Sequence, residues 1–217
     1  MFEEIENKKG HSKAFTILAI FVLVATITGV AVAAYTWNFE SKNANTIGTG
    51  NISMSFLEST DVINITNALP ITDDNGMGLN TKNEYFDFAI TTKASGAPGN
   101  ISYNISITKV AVDSGYTALK DSDVKVYLTT LAGEDEIQVV RPTLVSSIIT
   151  SGDTGTLTFD SGKTGYLTHN HTTANQTKTT KYRLRMWVDS AVDASKWTAS
   201  TKNQYKLKVS TSGTLSA

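Results

Sequence analysis

The sequence predicts an all-β ectodomain, a single sandwich of two packed sheets with jelly-roll or Ig-like topology, behind one N-terminal apolar helix. Three observations carry that reading. Hydrophobic residues after Trp37 alternate with period two, turn-forming residues recur between the alternating runs, and residues 14–37 carry no charge. Period-two alternation sends successive side chains to opposite faces of a pleated strand, so each run can bury one face and leave the other wet. Short strands separated by turn chemistry stack most readily as two sheets around one core.

The N-terminal run opens at Ala14 and Phe15, passes Phe21 and closes at Tyr35 and Trp37. A helix rises about 1.5 Å per residue and a hydrocarbon core is about 30 Å thick, so the run is long enough to span a bilayer. Lys8, Lys9 and Lys13 precede it and Glu40 and Lys42 follow. The three lysines on the short tail 1–13 place the N-terminus in the cytoplasm by the positive-inside rule, with Tyr35 and Trp37 as interface anchors. Three fates are consistent with this pattern. The helix stays in the bilayer as an anchor, or Ala31-Val32-Ala33 directs signal cleavage between Ala33 and Ala34, or a prepilin-like cut after Gly10 leaves a helix starting at His11 for filament packing.

The ectodomain occupies residues 48–217, after an extended linker or donor strand at 38–47. Phe86, Phe88 and Ile90 alternate with Asp87 and Ala89, and Ile101, Tyr103, Ile105 and Ile107 alternate with Ser102, Asn104 and Ser106. Further strands are expected at 52–57, 62–66, 124–131, 137–140, 144–149, 156–160, 182–189 and 204–211, about ten in all. Turns are expected at Asp73-Asp74-Asn75-Gly76, Gly96-Ala97-Pro98-Gly99, Asp113-Ser114-Gly115, Gly133-Glu134-Asp135, Ser151-Gly152-Asp153 and Asp160-Ser161-Gly162. A brief helix is expected at 190–197. On 182–189, Leu184, Met186 and Val188 face the core while Arg183, Arg185 and Trp187 form a solvated face with cation–π packing. Tyr205, Leu207 and Val209 point inward, while Lys206 and Lys208 point outward and discourage edge-to-edge aggregation.

The charge balance excludes one class of partner. With 19 basic and 20 acidic residues the chain has no long-range field for nucleic acid. The chain has no cysteine, so the domain relies on its apolar core, and a prokaryotic or viral surface fits better than a eukaryotic secretory one.

Groups capable of chemistry are sparse. His169 and His171 would share a strand face and could offer two imidazoles to a metal, but their Thr, Asn and Gln neighbours read as an exposed, solvated turn without a third ligand. Asp73, Asn75 and Gly76, or Asp121 and Asp123, offer fragments of a calcium loop, more simply read as turns. Glu134, Asp135 and Glu136 form a charge cluster at a hairpin tip. No nucleophile, zinc-protease or phosphate-loop motif occurs, so no catalytic residue, cofactor, metal or small-molecule substrate is expected. Asn-x-Ser/Thr sequons begin at Asn51, Asn64, Asn100, Asn104, Asn170 and Asn175, about as often as the Ser and Thr content gives by chance, and Asn170 and Asn175 are the candidate acceptors.

The stretch Ala34-Tyr35-Thr36-Trp37-Asn38-Phe39-Glu40-Ser41-Lys42-Asn43-Ala44-Asn45-Thr46-Ile47, followed by Gly48-Thr49-Gly50-Asn51-Ile52-Ser53-Met54, resembles the start of the TasA/camelysin family of exported fibre proteins. The resemblance implies a jelly-roll subunit of an extracellular biofilm-matrix filament that lends an N-terminal strand to its neighbour. Trp37, Phe39 and Ile47 would then form the donor strand, and self-association would be the main interaction. The alternatives are a single-pass adhesion or virion-envelope module, held in the lipid bilayer by residues 14–37, and a pilin-like subunit with a helical filament core.

Overall fold

The computed structural model describes residues 37–40, 45–49, 52–58, 62–81, 84–94, 98–133, 135–195, 197 and 202–216, with side chains from residue 62 to residue 213. The tail 1–13, the apolar run as far as Thr36 and the candidate cleavage between Ala33 and Ala34 lie outside the described residues. Trp37, the last residue of the uncharged run, begins the first strand.

Fourteen strands are described, in two sheets of seven. The first sheet runs β1 (Trp37–Glu40), β14 (Asn203–Ser216), β7 (Gly99–Val110) and β11 (Thr154–Thr156), with β12 (Thr168–His171) also on β7, and with β4 (Ile63–Thr66) and β8 (Thr117–Ala118) on β14. The second runs β10 (Asp135–Leu144), β9 (Val124–Ala132), β13 (Thr177–Asp189), β6 (Tyr85–Ala94), β3 (Ile52–Glu58) and β2 (Asn45–Thr49), with β5 (Pro70–Ile71) on β13. The expected all-β class is met. The longest ladder joins β7 to β14 antiparallel, from Lys206 opposite Val110 to Ser216 opposite Asn100.

The core forms where the two sheets face each other, and it follows the alternation. Ile101, Tyr103, Ile105 and Ile107 of β7 and Tyr205, Leu207 and Val209 of β14 are buried from one side. Phe86, Phe88 and Ile90 of β6, Val124, Val126 and Leu128 of β9, and Tyr182, Leu184, Met186 and Val188 of β13 are buried from the other. The hydroxyls of Tyr103 and Tyr182 lie 2.9 Å apart across the gap, each within 2.8 Å of the Tyr166 carbonyl oxygen, so their two protons are shared among these three contacts. Phe88 stacks on Tyr182 with ring centroids 5.2 Å apart. Each phenol thus buries a large apolar ring while its polar end finds a partner, as a dry core requires.

Several expectations need correction. The segment 144–149 is not a strand: β10 runs on to Leu144 and a helical turn, Val145–Ile148, follows it. Two register shifts, between Gln138 and Val140 and between Val140 and Thr143, break the alternation along β10, so its period is illegible in sequence. Of the next candidate, 156–160, only Thr156 lies in a strand, β11 (Thr154–Thr156). Asp73–Met77 is a short helix, capped by the side chain of Thr72, where a turn is expected, and no helix forms over the described residues of 190–197. Lys206 and Lys208 lie on β14, an interior strand, so they guard no sheet edge. The turns at Gly133 and Gly162 fit their reading, with φ of 69° and 77°, values open to glycine without strain.

The face of β13 bearing Arg183, Arg185 and Trp187 departs furthest from expectation. Arg185 is 4% exposed and Trp187 2%, because the chain from β5 through the helix Asp73–Met77 to Leu79 folds over them. Gly76 is the point of closest approach. A Cβ there would stand well inside van der Waals contact of Cδ2 of Trp187, so only a residue without one lets the helix settle on the indole. Gly76→Ala should therefore destabilise the domain by about 1–3 kcal/mol through overpacking, read as a lower urea midpoint at an unchanged m-value. An unchanged midpoint would mean that the covering segment is not packed on Trp187.

Candidate functional site

Two polar clusters, one between the sheets and one beneath the covering segment, hold most of the buried groups capable of chemistry. The first is built on β12, whose burial alternates so that His169 and His171 point inward. The expectation of an exposed, solvated turn is overturned here: β12 pairs with β7, His169 opposite Ile101 and His171 opposite Gly99, and the rings are 5% and 1% exposed. The polar neighbours that suggest a loop are the outward half of the same strand. That the two histidines share a face is legible from their spacing, but that the face is the inner one depends on the β7 partner.

Both imidazoles converge on one hydroxyl. Thr92 Oγ1, on β6 of the opposite sheet, lies 2.7 Å from Nδ1 of His169 and 2.8 Å from Nε2 of His171. A hydroxyl has one proton, so it donates to one ring and accepts an N–H from the other, which fixes the two tautomers relative to each other. His169 Nε2 also meets Thr180 Oγ1 at 2.8 Å and the hydroxyl of Tyr103 at 3.4 Å. Among the described residues, Nδ1 of His171 has no partner at hydrogen-bond geometry. Burial lowers the His169 pKa from 6.5 to about 4, with repulsion from His171 and Lys178 adding to it, and lowers that of His171 for the same first reason. The pair is a neutral hydrogen-bonded clasp between sheets. Among the described residues no group of three or more His, Cys, Asp or Glu gathers to hold a metal.

The second cluster lies on the covered face of β13. Arg185 grips Glu136 of β10 with both terminal nitrogens, at 2.7 and 3.0 Å, and its Nε donates to the carbonyl of Leu79 in the covering segment. Arg183 reaches the same carboxylate at 2.9 Å and makes a bidentate pair with Asp87 of β6, at 2.8 and 2.9 Å. The Arg183 guanidinium also lies 3.8 Å from the centroid of the Tyr85 ring, so the expected cation–π contact is present although the solvated face is not. The hydrogen bonds from Arg185 hold the Glu136 carboxyl below its usual range against the opposing effect of burial. Sequence proximity alone put Glu136 in a hairpin-tip cluster, whereas in the fold it sits in a ladder strand facing two arginines.

The calcium-loop candidates face lysines. Both oxygens of Asp73 lie within 3.1 Å of Lys125 Nζ, and those of Asp121 lie 3.2 and 3.0 Å from Lys109 Nζ. Asn170 is exposed on β12, and Asn175 is exposed in the following turn with φ of 62°. Of the candidate donor residues, Trp37 and Phe39 fall in β1 and Ile47 in β2; both strands are paired within the chain, β1 with β14 and β2 with β3. An apolar cleft of about 380 Å³ opens beside β4, lined in part by Ile65, Leu69, Ile71 and Val188, and leaves Leu69 68% exposed.

No family model matches this chain, and no curated protein matches its sequence.

The neutral imidazoles make stability depend on pH within a set window. His169 takes up a proton near 6.5 when unfolded but only near 4 when folded, so the folded state binds fewer protons between those values. Its contribution is complete above pH 6.5 and is lost as pH falls through the window. Urea midpoints should decline over that range, and His169→Asn should flatten the decline; an equal slope in the variant would assign the effect to other groups. The ladder on β13 yields an ordering of costs. Glu136→Ala strands the buried Arg185 charge and should cost about 3–5 kcal/mol. Arg185→Met should cost less, since Glu136 keeps Arg183. Equal or reversed losses in denaturant unfolding would contradict this.

Proposed function

We propose that this chain is a non-enzymatic, exported cell-surface structural protein, a filament or matrix-fibre subunit of jelly-roll or Ig-like build that polymerises through its N-terminal segment. One observation carries the reading: β1 and β2, the strands from the segment that resembles the TasA/camelysin start, are the outermost strands of the two sheet orders. An outermost strand can be withdrawn without opening the central β7–β14 or β13–β6 ladders, and the edge it leaves is a template for the same segment of another subunit. Head-to-tail exchange of that kind builds a filament where the rotation from one subunit to the next does not close a ring.

Other features are consistent with it. Glu136 is committed to Arg183 and Arg185, Asp73 to Lys125, and the histidines to the inter-sheet clasp, so these polar groups serve the fold. The apolar cleft beside β4, with Leu69 at its rim, supplies surface that self-association would cover. In this reading the uncharged run 14–37 directs export from a prokaryotic or viral membrane context, and its removal at Ala33–Ala34 frees the strand. Without cleavage it would leave a membrane-anchored module.

The test is deletion of residues 34–47. The truncated chain should sediment as a monomer with a β-type circular dichroism spectrum under conditions in which the chain starting at Ala34 forms filaments. Filaments from the folded deletion variant would refute strand exchange.

A further inference from the structure

The outer face of the first sheet differs in chemistry from that of the second. Along β7 its outward positions are Asn100, Ser102, Asn104, Ser106 and Thr108; β11 adds Thr154 and Thr156, and β12 adds Thr168 and Asn170. The register sets these side chains in ranks, and three ranks are closed by hydroxyl pairs: Ser102 with Thr168 at 3.2 Å, Ser106 with Thr156 at 3.1 Å and Thr108 with Thr154 at 2.9 Å. On β14 the outward Lys206 and Lys208 bring the charge. The covered face of the second sheet instead carries Asp87, Lys125, Glu136, Arg183 and Arg185. A face of short hydroxyls and amides offers little apolar area to bury, so a protein partner gains little by covering it.

Four sequons lie on this one face. Asn64 on β4, Asn100 and Asn104 on β7 and Asn170 on β12 all point outward, and among the described residues the second sheet carries none. Period two explains the coincidence of motif and face: an outward asparagine has its Ser or Thr two residues on, directed to the same side. At Asn64 the hydroxyl of Thr66 donates to Oδ1 of the asparagine at 3.2 Å. We infer that this face is N-glycosylated at Asn64, Asn104 and Asn170 and left bare at Asn100.

The exclusion of Asn100 is geometric. Asn100 stands directly opposite Asn170 in the antiparallel β7–β12 pair. Side chains so placed have Cβ atoms about 4.5–5.5 Å apart, too close for each to carry a sugar ring. Of the two, Asn170 is exposed, while Asn100 is half-buried with its Oδ1 out of contact with solvent. Asn104, four residues along the strand at about 3.4 Å each, is clear of both. The donor is a polyprenyl-pyrophosphate-linked saccharide. The asparagine Nδ2 bonds to the anomeric carbon and loses a proton, the bond from that carbon to the pyrophosphate oxygen breaks, and the lipid pyrophosphate leaves.

The inference rests on export, since the exported chain is where such a donor meets it. The experiment is site-resolved glycopeptide mass spectrometry of the full chain from its native cells, with surface biotinylation in parallel. The expected result is a biotinylated chain with saccharide mass on Asn64, Asn104 and Asn170 and none on Asn100, and loss of the saccharide from peptides 64, 104 and 170 in the N64Q/N104Q/N170Q variant. A biotinylated chain with bare asparagines overturns the inference and leaves export standing; a chain beyond the reach of biotin overturns both. Saccharide on Asn100 and Asn170 of one molecule refutes the exclusion.

Discussion

The bidentate pairing of Arg185 with Glu136 permits the central strand of the second sheet to be covered on both sides. A guanidinium 4% exposed is costly to bury unless its donors are matched, and here two go to one carboxylate and a third to the Leu79 carbonyl. The last of these ties the covering segment to the sheet. Gly76 then lets the short helix close on Trp187, and Lys125 joins Asp73 of that helix to Asp189 at the end of β13. The result is a strand whose inner face builds the core and whose outer face holds a second, mostly ionic, layer.

The first sheet handles its outer face in the opposite way. Its ranks of Ser, Thr and Asn stay at the surface, three of them closed by hydroxyl pairs, while its inner face presents two imidazoles to the other sheet. A core free of disulfides gains specificity from such polar contacts: Thr92, His169, His171, Tyr103 and Tyr182 fit together in one relative setting of the sheets. The same contacts tie that setting to neutral imidazole, because no acidic side chain is among the groups that shift the two histidines.

Much of the fold was legible because β6, β7, β9, β13 and β14 have long uninterrupted alternation, and the inward sets read from Phe86 to Ile90, Ile101 to Ile107 and Tyr205 to Val209 are the buried ones. The errors arose where local pattern and tertiary partner disagree. Bulges along β10 conceal its period, so the local pattern suggests two short strands where one strand and a helical turn occur. Alternation identifies two faces of β13 but carries no information on the distant residues 70–79 that cover one of them. β12 is polar outward and histidine inward, so composition gave a loop, and only its ladder with β7 reveals a buried clasp. Glu136 belongs to Arg183 and Arg185 across two strand connections, which sequence proximity to Asp135 obscures.

The proposed assembly requires that the segment beginning at Ala34 be free of the apolar run that precedes it, since a strand held in a bilayer cannot be passed to the next subunit. The most direct measurement is the N-terminal residue of the chain recovered from its native surface, by intact-mass spectrometry with terminal sequencing. Release of the strand requires a start at Ala34. A start at His11 would place a helix at the filament core, and an intact Met1 would leave an anchored module; either result would contradict polymerisation through a released strand.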